Sequence, residues 1–79
     1  MKLRRDLSGA DLAKALRRVG YATVRQTGSH IRLVTNEMGQ HHVTVPNHNA
    51  VKIGTLAGIL GDVAAHLEIS RDELVRRIF

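Results

Sequence analysis

A histidine set between arginines is the most chemically suggestive arrangement in the chain. His30 follows Gly28 and Ser29 directly, with Arg25 before it and Arg32 after it. Imidazole gives and takes protons near neutral pH. An RNA phosphodiester breaks when the 2′-hydroxyl loses a proton and the departing 5′-oxygen gains one. One histidine can perform either transfer while cationic side chains stabilise the charge developing on phosphate. The plain alternative is a surface histidine in a hairpin.

A second group lies further along. His48 and Lys52 precede Gly54-Thr55, which reads as the start of a helix. Helix N-termini bind anions because their first amides are unpaired and the dipole is positive there. A phosphate on those amides beside Lys52 is one reading; an ordinary loop with Thr55 as helix cap is the other. His41 and His42 are adjacent, so on a strand they face opposite ways and cannot share a metal ion. His42 and His48 could approach each other. With no cysteine and no histidine–carboxylate cluster, neither a metal nor another cofactor is expected. His66 sits late in a helix, where a cation suits the dipole, and reads as structural.

The elements that must position these residues follow from the hydrophobic pattern. Ser8 is a helix cap with Asp11 at the capping-box position, and Leu7 can staple onto Leu12. Leu12, Leu16 and Val19 recur at helical spacing up to Gly20. From Tyr21 the period becomes two, giving strands over 21–26, 30–34 and 41–45, with Thr27-Gly28-Ser29 as the first turn. The expected inner face is Ala22, Val24, Ile31, Leu33, Val43 and Val45. The outer face is then Tyr21, Thr23, Arg25, His30, Arg32, His42 and Thr44. Leu56, Ile59, Leu60, Val63 and Leu67 form a second helical stripe. Gly58 and Gly61 weaken that helix and are expected to allow close packing on the sheet. Ser70 and Glu73 cap a last short helix, which Leu74 and Ile78 can dock. The order is α-β-β-β-α plus a short C-terminal helix. It predicts an α+β sandwich with a three-stranded antiparallel sheet and helices on one face.

Composition bounds the rest. The chain has 79 residues, enough for one domain, and no apolar run long enough to span a membrane. No secretory signal is expected, and the absence of cysteine fits a cytosolic setting. Lys and Arg number 12 against 7 Asp and Glu. Residues 1–20 carry six basic and two acidic side chains, 21–54 three and one, and 55–79 three and four. The surplus is therefore N-terminal and central, which favours an anionic partner, nucleic acid first. Tyr21 and Phe79 are the sole Phe, Tyr or Trp residues, too few for a base-stacking sheet. Contact with nucleic acid must then rest on backbone, shape and charge.

Gly20-Tyr21, Val24-Arg25-Gln26, Gly28-Ser29-His30, Val45-Pro46, His48, Lys52, Gly54-Thr55-Leu56 and Ile59-Leu60 together resemble the HicA (YcfA-like) toxins. The resemblance covers Ser8 to Leu60. The chain reads as a single domain over 1–79 with a HicA-like core at 8–60; it departs from the family's pattern in a C-terminal helical extension at 63–79, expected to dock an antitoxin or complete the core. The resemblance implies a fold like the double-stranded-RNA-binding domain. It also implies a metal-independent mRNA interferase, a ribonuclease that halts translation until a HicB-type antitoxin covers it. The family's catalytic histidine falls on His30, and the glycine and serine before it on Gly28 and Ser29. Arg25, Arg32, His48, Lys52 and Thr55 are the further candidates for holding phosphate. Position 27 departs from the pattern, being Thr where lysine is common. The alternative function is a non-catalytic RNA-binding module using the same basic sheet face.

Overall fold

The computed structural model describes residues 6–79. Helix α1, Gly9–Leu16, starts where the capping signals place it: Ser8 Oγ accepts a hydrogen bond from the Asp11 amide at 3.0 Å. Leu7 and Leu12 are both buried beneath it. The chain continues as a 3₁₀ turn, Arg17–Val19, and reverses at Gly20, whose φ of 96° suits a residue without Cβ. Gly9 is constrained differently. A Cβ there would clash with the Pro46 carbonyl oxygen, and the Gly9 amide donates to the His48 carbonyl at 2.9 Å. The start of α1 is thus pinned to the exit of the last strand.

Strands β1 (Ala22–Gln26), β2 (His30–Thr35) and β3 (His41–Pro46) form one antiparallel sheet in the order β1-β2-β3. Ile31, Leu33 and Thr35 of β2 and Val43 and Val45 of β3 are buried on the inner face, while His30, Arg32, His42 and Thr44 are exposed on the outer one. This is the alternation that sequence predicts.

Strand β1 departs from it. Tyr21, expected outside, is 2% exposed in the core, and Val24, expected inside, is 56% exposed. The register shows why. Ala22 opposes Val34 and Thr23 opposes Leu33, but Arg25 opposes Arg32, so Val24 is an extra residue in a bulge. One extra residue reverses the side-chain alternation on its N-terminal side. Tyr21 therefore turns into the core and Thr23 takes the inward register opposite Leu33 while staying exposed, whereas Arg25 keeps the outward position its period predicts.

Helix α2, Ile53–Leu67, begins ahead of Gly54-Thr55, with Lys52 at the cap position and no side-chain cap. Thr55 is therefore inside the first turn, not at the cap. Leu56, Leu60 and Val63 are fully buried, with Ile59 and Leu67 packed at the edge of the core. Gly58 and Gly61 do not mediate close packing on the sheet. A Cβ at Gly58 would meet nothing within 4 Å, and at Gly61 only Arg71 Cδ at 3.8 Å. Gly58 is exposed, and Gly61 is half-buried against the residue that opens the last helix. Helix α3, Arg71–Ile78, is capped by Ser70 Oγ, which accepts from the Glu73 amide at 3.0 Å. Its Leu74 and Ile78 are buried, so α3 closes the core.

The result is an α+β sandwich of the double-stranded-RNA-binding type, with helices on one sheet face and a polar, basic face opposite. No single helix among the described residues is long and apolar enough to cross a membrane.

Candidate functional site

His30 opens β2 directly after the turn at residues 27–29. The Thr27 amide donates to the His30 carbonyl at 2.8 Å and closes that turn. Thr27 Oγ1 in turn accepts from the Ser29 amide at 3.2 Å and the His30 amide at 3.0 Å. Ser29 Oγ lies 3.0 Å from His30 Nδ1. This contact engages one ring nitrogen and leaves Nε2 without a partner among the described residues. Gly28 has an ordinary backbone conformation, and a Cβ there would meet nothing within 4 Å. Neither backbone nor packing demands glycine at that position.

The register then brings in the cations. Arg32 stands two residues beyond His30 on the same face, flanked by Arg25 on β1 and Thr44 on β3. Arg25, Thr27, His30, Arg32 and Thr44 line one shallow pocket of about 290 Å³. No carboxylate lines it. Directly opposed side chains on antiparallel strands have Cβ atoms about 5 Å apart, and like charges so placed repel. No ion pair among the described residues neutralises either arginine. The sheet thus carries an uncompensated pair of guanidinium groups beside an exposed imidazole. Such a surface suits a polyanion whose phosphates neutralise the pair.

The other sequence candidates fall elsewhere. His42 opposes Val34, four residues along β2 from the His30 position. At about 3.3 Å per residue that is roughly 13 Å, beyond a shared proton transfer. His48 is exposed and follows Pro46, the register partner of His30, by two residues. Lys52 and Thr55 are exposed at the start of α2 and do not line the pocket.

Three residues at the site carried weaker sequence signals. Thr44 occupies an outer-face position but has no proton chemistry of its own. Thr27 is a turn residue whose hydroxyl can bond its neighbours' amides, a habit of Ser and Thr. Asn47, just after β3, binds the turn twice: its amide donates to the Ser29 carbonyl at 2.9 Å, and Nδ2 donates to the Thr27 carbonyl at 3.0 Å.

A second polar cluster occupies the opposite end of β3. The buried Tyr21 hydroxyl donates to His41 Nδ1 at 2.8 Å, while His41 Nε2 faces Asp62 at 3.4 Å. Burial, with the Asp62 charge adding to it, pushes the Tyr21 phenol up to about 12. The His66 ring stacks on His41 with centroids 4.4 Å apart. Its Nε2–H donates to the carbonyls of Glu37 and Gly39 at 2.8 and 3.0 Å. That pins the β2–β3 turn, where Met38 and Gly39 both have positive φ. The ring nitrogens shown bonding here are engaged within the protein, so the cluster is a clasp. Among the described residues no group of three or more His, Cys, Asp or Glu could hold a metal ion.

No curated protein and no solved structure matches the chain. A family model does, over residues 9–64, a span that holds the turn, all three strands and most of α2. That family is described as the HicA toxin of bacterial toxin–antitoxin systems, and this chain belongs to it, with the antitoxin partner that membership implies.

Proposed function

We propose that the protein is an endoribonuclease toxin that cleaves mRNA with His30 as its proton-transfer group and arrests translation until a HicB-type antitoxin covers it. The observation carrying this reading is the uncompensated Arg25–Arg32 pair beside an exposed histidine with one nitrogen engaged and the other free. A purely structural surface gains nothing from opposed like charges. A phosphate between them converts the repulsion into two charge-assisted contacts.

The chemistry follows from the groups present. His30 Nε2 removes the 2′-hydroxyl proton, and that oxygen attacks phosphorus. The 5′-oxygen leaves and gains a proton, producing a 2′,3′-cyclic phosphate and a 5′-hydroxyl end. The same nitrogen can deliver that proton when the order of transfers is reversed, with water serving the opposite step. Arg25 and Arg32 stabilise the negative charge on the nonbridging oxygens. No step requires a metal ion. Lys52, His48 and Thr55 extend the basic path towards α2 and hold phosphates further along the strand. Gly28, with open space on its side-chain face, lets a backbone approach the turn closely. With Tyr21 buried, the outer face carries no Phe, Tyr or Trp for bases to stack on. Recognition therefore runs through backbone and charge.

Inducing the wild-type gene should arrest growth, and the His30→Ala gene should not. His30 is exposed, so the variant keeps its fold. A folded His30→Ala protein that still arrests growth would overturn the assignment. RNA binding by both proteins with cleavage by neither would favour the non-catalytic binding module.

A further inference from the structure

The stretch leading up to His30 has no apolar anchor between Tyr21 and Ile31. Every residue from Ala22 to His30 is exposed. The order of the ring must therefore come from hydrogen bonds, and these converge on Thr27. Its hydroxyl lies within reach of four groups: the Ser29 and His30 amides at 3.2 and 3.0 Å, and Ser29 Oγ and the His30 carbonyl both at 3.4 Å. A hydroxyl has two acceptor sites and one proton. The two amides fill the acceptor sites, so the proton goes to Ser29 Oγ or to the His30 carbonyl. Asn47 holds the same turn from outside through the carbonyls of Thr27 and Ser29.

We propose that Thr27 is a positioning residue for His30: its Oγ1 fixes the Ser29 and His30 amides, which sets Ser29 Oγ against His30 Nδ1 and turns Nε2 to the pocket. A serine hydroxyl suits this place because it accepts from Nδ1–H, and Nδ1 keeps its hydrogen whether Nε2 is free or carries the transferred proton. The ring then keeps its orientation through both halves of a proton-transfer cycle. Misplacing a catalytic group by about 1 Å costs on the order of 100-fold in rate, so the turn bears directly on activity. The proposal rests on the catalytic reading of His30.

Thr27→Val removes the oxygen while keeping the shape, and Thr27→Ser restores it. Two readouts apply to both: ¹⁵N signals of the His30 ring, which need no substrate, and single-turnover cleavage of a synthetic RNA. Thr27→Val should move the His30 Nδ1 and Nε2 signals and lower the maximal rate at least 10-fold, with the half-saturating enzyme concentration within threefold of wild type. Thr27→Ser should recover both. Circular dichroism confirms folding, and Thr27→Ala replaces the valine variant if that one misfolds. Unchanged ring signals overturn the proposal, as does a rate loss that serine does not restore. If the wild-type protein cleaves no RNA, the catalytic reading falls by itself, and the ring signals alone decide the role of Thr27.

Discussion

Arg25 on β1 stands directly across the sheet from Arg32 on β2, and no acidic side chain lines the pocket they share. The pairing exists because the Val24 bulge lets Arg25 keep an outward position while Tyr21 turns into the core. It sets two effects against each other. Relieving the repulsion should raise stability by about 0.2–1 kcal/mol, and losing a phosphate contact should weaken RNA binding. Arg32→Ala in the His30→Ala background is therefore expected to melt no lower than its parent while binding single-stranded RNA more weakly. The slope of log K against log salt should shrink by about 0.7, as for one lost contact on a single strand. Anisotropy titrations over a salt series, with thermal melts alongside, check both. Equal affinity and slope would remove Arg32 from the interface.

Gly9 marks a close approach of α1 to the sheet end that carries the site. Because a Cβ there meets the Pro46 carbonyl oxygen, Gly9→Ala must push α1 away from β3. Overpacking of this kind costs about 1–3 kcal/mol. Chemical denaturation should show a lower midpoint. A variant as stable as wild type would show that α1 shifts freely.

Gly58 is the opposite case. It is exposed within α2, with nothing near its missing side chain. Replacing it with alanine should stabilise the protein by roughly 1 kcal/mol, which raises the melting temperature by about 4–8 °C in a domain of this size. RNA cleavage should be unchanged, since Gly58 lies outside the pocket.

Tyr21 predicts a pH dependence. Its phenol is raised from the ordinary value of 10.0 to about 12, chiefly by burial and then by Asp62. The folded state favours the neutral form, so the associated stability is complete below pH about 10 and is lost as pH rises towards 12. The loss is on the order of 2 kcal/mol. Tyr21→Phe, which gives up the 2.8 Å bond to His41, should be less stable than wild type at pH 7. Between pH 10 and 12 its stability should fall less steeply. Parallel wild-type and Phe curves across that range would contradict the assignment.

Much of this fold can be read from periodicity and capping. Ser8 with Asp11 and Ser70 with Glu73 mark helix starts that the structure realises with 3.0 Å bonds. The inward residues of β2 and β3 are those that alternation selects. Strand β1 escaped because a bulge adds no distinctive residue: Val24 looks like any strand valine, and only pairing to β2 reveals that it opposes nothing. The start of α2 slipped because Lys52 occupies the cap position without a capping side chain. The family motif and strand period together single out His30, Arg25 and Arg32. Thr27, Asn47 and the Tyr21–His41–His66 clasp depend on contacts across the fold, which spacing along the chain does not encode.

The central claim is that His30 performs the proton transfer in RNA cleavage, and purified protein tests it most directly. Wild type and His30→Ala, matched by circular dichroism and melting temperature, are incubated with a synthetic RNA in the presence of EDTA, and the ends of the products are identified. Wild type should cut and leave a 2′,3′-cyclic phosphate, while His30→Ala should cut at least about 100-fold more slowly, the usual scale for losing a general acid or base. Cleavage by the folded His30→Ala protein at the wild-type rate would contradict the account.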